Sequence, residues 1–396
     1  MNSIKTLTAW LLAALVAGLS GVARADDDAA LGDTARYRQL HALGVDEGRG
    51  PHDARLARGP DGNFYGTTSF GGLFGGGTIF RMTPKGDMQL LHAFVAEDTE
   101  SVPSGLTWGK DGYFYGVTMF GGLHGDGAFY RMTLDGELTV LYSFNRLQDV
   151  PNFWPSHGLM LSRDGHFYGV THGTVYRVSP QGEASVLHTF GPDAVNGGLI
   201  EDDAGDLYGT TTSGGEFDRG TVYRLTKAGV LTVLHPFAGH RVDGMYPRGW
   251  LALAGGQLFG TTGQGGKHGQ GIVFRVSKHG GDYHLLHEFK VNEHAPRAPS
   301  TGLVLAPDGW LYGATEHGGT ADAGTVYRIS QAGEVTPLYS FGQFTGDGVR
   351  PMSQLLLSGR RTFHGTTDLG GAADMGTVYK LTLRPPGAGL SFLEKP

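Results

Sequence analysis

Asp61-Gly62-Asn63-Phe64-Tyr65-Gly66-Thr67-Thr68, followed fourteen residues after Gly66 by Phe80-Arg81, is the stretch on which the fold turns. Its heart is an aromatic residue followed by glycine. The pair recurs as Tyr115-Gly116, Tyr168-Gly169, Tyr208-Gly209, Phe259-Gly260, Tyr312-Gly313 and, with histidine for the aromatic, His364-Gly365. Eleven residues before each glycine an apolar run begins, at Arg55, Gly105, Gly158, Gly198, Gly249, Gly302 and Gln354. Fourteen residues after it, in six of the seven units, stands an aromatic and a base: Phe80-Arg81, Tyr130-Arg131, Tyr223-Arg224, Phe274-Arg275, Tyr327-Arg328 and Tyr379-Lys380. In the third unit Tyr176-Arg177 follows after seven.

Each unit reads as four short strands. Aromatic and β-branched residues fill them, and Asp-Gly turns such as Asp111-Gly112 and Asp135-Gly136 separate first from second and third from fourth. Glycine makes up 68 of 396 residues and recurs at regular positions, the mark of many tight turns. Four-stranded units repeating about every 50 residues are propeller blades. The expected fold is all-β: a seven-bladed β-propeller of four-stranded blades. The last repeat lacks a good fourth strand after Thr377–Leu383, whereas the N-terminal Tyr37–Leu43 matches the fourth strand of the other units. The N-terminal strand is therefore expected to close the last blade from outside, with the apolar Leu390–Leu393 as its competitor for that edge. The boundaries are a leader at 1–25, a linker at 26–35, the propeller at 36–385 and a tail at 386–396.

The phrase Asp-Gly-x-x-Tyr-Gly-Thr-Thr, then Gly-Gly, then Gly-Thr-Val-Tyr-Arg, then Leu-Tyr-Ser-Phe resembles the GloVer tandem repeat of secreted bacterial proteins. The resemblance covers essentially all of the chain after the leader. It implies an exported, propeller-like protein and no particular activity.

Lys5, the apolar run around Leu11–Val16 and Ala23-Arg24-Ala25 form a secretory leader with a small-residue cleavage site. The run is too short to span a bilayer. Its removal shifts the net charge from -7 to -9, and without clustered Lys or Arg no nucleic-acid partner is expected. With no cysteine, packing alone must hold the fold. The protein is expected in the extracellular space or the periplasm, as a monomer without membrane anchor, cofactor or metal.

A residue present in every unit builds blades, so function is sought in the exceptions. The third-strand bases and the fourth-strand His/Tyr series (His41, His92, Tyr142, His188, His235, His287, Tyr339) read as structural. The short turns share one face of the disc. The long, variable connections share the other, which is the better place for a binding site. The residue just before the first strand is Ala54, Ser104, His157, Gly197, Arg248, Thr301 or Ser353; His157 and Arg248 stand out. Unit 3 also lacks the Gly-Gly loop, and seven missing residues leave a notch with His172 at its floor. Trp154 leads into the same place, and Tyr246 precedes Arg248 by two.

His157, His172 and Tyr246 are thus the candidate catalytic residues, with Arg248 and Trp154 as candidate substrate-binding residues. Cleaving a uronic-acid polysaccharide by β-elimination needs a cation or strong donor on the carboxylate, a base for the adjacent proton and an acid for the leaving oxygen. Arg suits the first, His or Tyr the others, and Trp stacks on sugar rings. The set is similar in kind to that of secreted ulvan lyases, which are seven-bladed propellers using His, Tyr and Arg. An acidic polysaccharide is the expected partner; a non-catalytic propeller binding glycan or protein is the alternative. Hydrolysis by paired carboxylates has weak support: Glu216, Asp218, Glu316 and Asp368 fall in three separate loops. There is no Gly-x-Ser-x-Gly elbow. His284 and His287 point to opposite faces of a strand, which disfavours zinc, and the acidic turn Glu201–Asp206 reads as solvated.

Overall fold

The computed structural model describes residues 35–51, 55–95, 102–145, 155–191, 194, 197–239, 241, 243–291, 294–299 and 301–384. The leader, the linker up to residue 34, the tail and Trp154 lie outside these residues.

Seven antiparallel sheets of four main strands form a ring. Blade 1 comprises Ala57–Arg58, Phe64–Thr68, Gly75–Met82 and Met88–Val95. Blade 2 comprises Pro103–Trp108, Phe114–Thr118, Ala128–Met132 and Leu138–Ser143. Blade 3 is Ser156–Leu161, Phe167–Val170, Thr174–Val178 and Ala184–Thr189. Blade 4 is Ile200–Glu201, Leu207–Thr211, Thr221–Leu225 and Leu231–Pro236. Blade 5 is Ala252–Ala254, Gln257–Thr262, Ile272–Ser277 and His284–Glu288. Blade 6 is Val304–Leu305, Leu311–His317, Thr325–Ile329 and Val335–Ser340, with Arg297–Pro299 added beside its second strand. Blade 7 takes Leu356–Gly359, Thr362–Thr367 and Thr377–Leu383 from the C-terminal side and Ala35–Ala42 from the N-terminal side.

That last pairing is the expected closure. It runs from Ala35 opposite Leu383 to Ala42 opposite Thr377, and starts at Ala35, inside the expected linker. Tyr37 stacks on Tyr339 of blade 6 at 3.7 Å between ring centres. Both hydroxyls donate to the buried Asp347, at 2.9 and 2.7 Å.

The repeat phrase now has a physical reading. In all seven blades a Cβ on the glycine of the aromatic-Gly pair would stand 2.3–2.8 Å from the third-strand aromatic ring or its hydroxyl. Only a residue without a side chain lets that ring lie across the second strand. The preceding tyrosine donates its hydroxyl to the turn aspartate in blades 1, 2, 3, 4 and 6, at 2.6–3.1 Å. This is why Asp-Gly stands before Tyr-Gly. The glycine opening the third strand meets a proline that leads into the next blade. A Cβ on Gly77, Gly127, Gly220, Gly271, Gly324 or Gly376 would lie 2.5–3.2 Å from the proline Cδ, and each of these glycines has positive φ. In blades 1 to 6 the fourth-strand His or Tyr ring stands edge-on to the phenylalanine two residues later, as in His188–Phe190 and Tyr142–Phe144. The packing role assigned to that series is what the structure shows.

The core is divided among the junctions between blades. Tyr115 and Phe129 of blade 2 pack on Leu159, Phe167 and Tyr176 of blade 3. Each fully buried aromatic of this kind contributes about 1.5–3 kcal/mol, so every blade depends on both neighbours. Among the described residues no helix is long and apolar enough to cross a membrane.

Candidate functional site

The connections into blades 1, 5, 6 and 7 pair with the loop between second and third strand of the same blade, on the long-loop face. Examples are Gly244–Met245 with Gln264–Gly265 and Gly348–Val349 with Leu369–Gly370. Blade 3 has no such loop. Its second and third strands join through His172-Gly173 alone: Thr171 N donates to Thr174 O at 2.9 Å, and Gly173 N to Thr171 O at 2.8 Å. The expected notch is therefore a two-residue hairpin with His172 at its tip.

His157 lies beside it, because Ser156 pairs with Val170, two residues before His172. The His157 Nδ1 is 3.0 Å from Ser156 Oγ. His157 has φ 62, a left-handed value that is uncommon and costly for a residue with a side chain. Ser104, Gly197, Thr301 and Ser353, its counterparts in other blades, do not share it. Burial lowers the His172 pKa, and the charge of His157 adds to that shift. His172 is therefore held neutral at pH 7, next to a second imidazole.

Tyr246 is half-buried, with φ 59, in the connection into blade 5. Its left-handed backbone belongs to the repeat, since Ala298 and Arg350, also the residues before proline, have φ 54 and 57. Its side chain is particular. Arg219 Nη1 donates to Tyr246 Oη at 2.6 Å, and Tyr246 N donates to Arg219 O at 3.0 Å. An arginine accepts no hydrogen bond, so the tyrosine proton is left to point elsewhere. Arg219 was not singled out by the sequence reading. It comes from the blade 4 loop, just before Gly220, on which Pro247 packs. A residue preceding the third-strand glycine and facing the x-Pro step of the next blade was the available signal.

Arg248 is exposed, and its place in the ring differs from the expectation. Leu56, Leu199, Leu251 and Leu303 each lie against the glycine of the aromatic-Gly pair. The first hairpin of blade 5 is one residue shorter than those of blades 1 and 7: Leu253 pairs with Leu258 across four residues, where Arg58 pairs with Phe64 and Leu357 with Phe363 across five. Counting eleven residues back from Gly260 therefore lands one position early. Trp250, not Gly249, is the counterpart of Arg55, and Gly249, not Arg248, is the counterpart of His157. The structure thus joins His157 with His172 and Tyr246 with Arg219. The first pair belongs to blade 3, and the second joins the blade 4 loop to the connection into blade 5.

The acidic residues of this face are engaged in the loops. Asp218 Oδ1 accepts from Gly214 N at 2.7 Å, as Asp322 does from Gly318 and Asp374 from Gly370. Arg350 bonds Glu316 and lies 3.7 Å from Asp368. On the opposite face Glu201 and Asp202 are held by Lys227 and Lys278. Among the described residues no group of three or more metal-ligating side chains is assembled.

Residues 30–172 and 171–379 match, in two tandem copies, the model of the Gloeobacter/Verrucomicrobia repeat. No curated protein matches. Among solved structures, virginiamycin B lyase from Staphylococcus aureus superposes with a TM-score of 0.60 at 14% identity, covering 88% of this chain and 100% of the other. A streptogramin B lyase gives 0.61 at 12% identity, covering 89% and 98%. The extracellular domain of a one-component system from B. thetaiotaomicron gives 0.56 at 12%, covering 90% of this chain and 43% of the other. At these identities the likeness is one of fold.

Proposed function

The chain belongs to the Gloeobacter/Verrucomicrobia repeat family, and we propose that it is a secreted carbohydrate-active propeller that cleaves a uronic-acid polysaccharide by β-elimination on its long-loop face. The observation that carries this reading is the His157–His172 pair in the blade 3 notch, with His172 held neutral beside His157. Elimination asks for such a pair. Neutral His172 takes the proton next to the uronate carboxylate. The electron pair forms the new C=C bond, the glycosidic C–O bond breaks, and His157, as the acid, gives a proton to the leaving oxygen. The donor that the step also needs on the uronate carboxylate is assigned to the exposed Arg248, and Arg219, with Tyr246 bonded to it, to carboxylates further along the polymer. Trp154 is assigned to stacking on a sugar ring. The leader assigns the protein to the extracellular space or periplasm. The fold is compatible with this reading, since it hosts both lyases and extracellular sensing domains.

The test is absorbance at about 235 nm, where an unsaturated uronate absorbs, during incubation with ulvan, alginate, pectate, glucuronan and glycosaminoglycans. One substrate should give a rising trace that falls by about 100-fold or more in His172→Ala, the loss typical of a missing general base. Because the base must be neutral, activity should decline on the acid side at a pH below the ordinary imidazole value of about 6.5. Flat traces throughout would overturn the lyase reading. A non-catalytic binding propeller would then stand, a reading favoured by the exposed Leu73, Phe74 and Leu123 on loop tips of the same face.

A further inference from the structure

The ring position just before the core leucine is glycine in four blades. In the other three it carries a large side chain: Arg55 in blade 1, Trp250 in blade 5 and Gln354 in blade 7. Blades 1 and 5 stand across the ring from each other. Even so, the Arg55 guanidinium carbon is 5.2 Å from the centre of the Trp250 indole. The two side chains therefore meet inside the ring. The indole reaches that place because Gly198 has no side chain; a Cβ there would be 2.1 Å from it. Water reaches Arg55, yet enclosure by protein pulls its pKa down. Both hold for a side chain at the bottom of a well. Among the described residues no carboxylate pairs with it.

Gln354 is the second observation. It is 9% exposed, and its Oε1 is buried with no hydrogen-bond partner. An orphaned buried amide oxygen is destabilising, and binding of a donor there would relieve that cost.

We infer that the central channel is a binding site for a small hydroxycarboxylate such as a uronic acid monosaccharide. The Arg55 fork receives the carboxylate, Gln354 accepts from a hydroxyl, and the Trp250 indole backs the site. Arg matches a carboxylate with two parallel N–H donors. The hydroxyl requirement comes from Oε1, which can only accept. The site lies inside the ring, apart from the blade 3 notch, and does not depend on the lyase reading.

Calorimetric titration of the full chain with D-glucuronate, with D-glucose as neutral control, tests it. Saturable glucuronate binding is expected and no glucose binding. Arg55→Gln should weaken binding by about ten-fold or more and Gln354→Leu by several-fold. Arg55→Lys, which keeps the charge, should stay nearer to the parent protein than Arg55→Gln, and melting curves of each variant report folding. The parent protein failing to bind glucuronate, or binding glucose equally well, would overturn the inference whether or not the variants fold. So would an unchanged affinity in Arg55→Gln.

Discussion

Tyr312 and Tyr327 occupy neighbouring strands of blade 6, and their hydroxyls fare differently. Tyr312 donates to Asp308 at 2.6 Å, whereas the Tyr327 hydroxyl is buried against Gly313 with no partner. Blades 1 and 5 carry Phe80 and Phe274 at the Tyr327 position, so the hydroxyl is dispensable there. Tyr327→Phe should be neutral or stabilising by up to about 1 kcal/mol, and Tyr312→Phe destabilising by about 1 kcal/mol. Urea melts of the two variants would check the opposite signs. His364 extends the logic. It stands where five blades have Tyr with a turn Asp and blade 5 has Phe without one. Blade 7 has no turn Asp, and His364 bonds Ser358 instead, at 2.9 Å.

At the scale of elements, the closing strand depends on one acid. Asp347 accepts from Tyr37 of that strand, from Tyr339 of blade 6 and from the backbone of Gln343 and Gly348. Asp347→Ala strands two buried hydroxyls at the ring's seam and should cost about 3 kcal/mol in chemical denaturation, against nearly nothing for the exposed Asp135→Ala. The strands themselves were legible in the sequence because glycine spacing and aromatic pairing repeat in every blade. The seam was legible because one blade lacked a strand at one end of the chain and had a spare at the other. What escaped was register in blade 5, where one missing turn residue shifts Trp250 into the ring and Arg248 out of it. Arg219 escaped for another reason. It acts through a contact with Tyr246, 27 residues on, and only its place before the third-strand glycine marked it in the sequence. The blade 3 notch was legible as a length difference, and its histidine pair follows from the pairing of Ser156 with Val170.

The whole molecule should be sensitive to acid. Burial lowers the pKa of His92, His172, His188 and His287, and brings His364 to about 4. The unfolded chain takes up these protons near the ordinary value of about 6.5, while the folded ring resists them. Between those values the unfolded state holds more protons, so stability is full above about pH 6.5 and falls as the pH drops towards 4. His364→Phe should flatten part of that fall, measured as urea midpoints at neutral and mildly acid pH. The ring is built by what repeats, and its chemistry is assigned to what does not. The most direct test restores the repeat at blade 3 by replacing His172-Gly173 with the loop 119–127 of blade 2, and follows polysaccharide cleavage at about 235 nm. The account predicts a folded ring with its cleavage abolished. Cleavage at the parent rate by the refilled blade would contradict it.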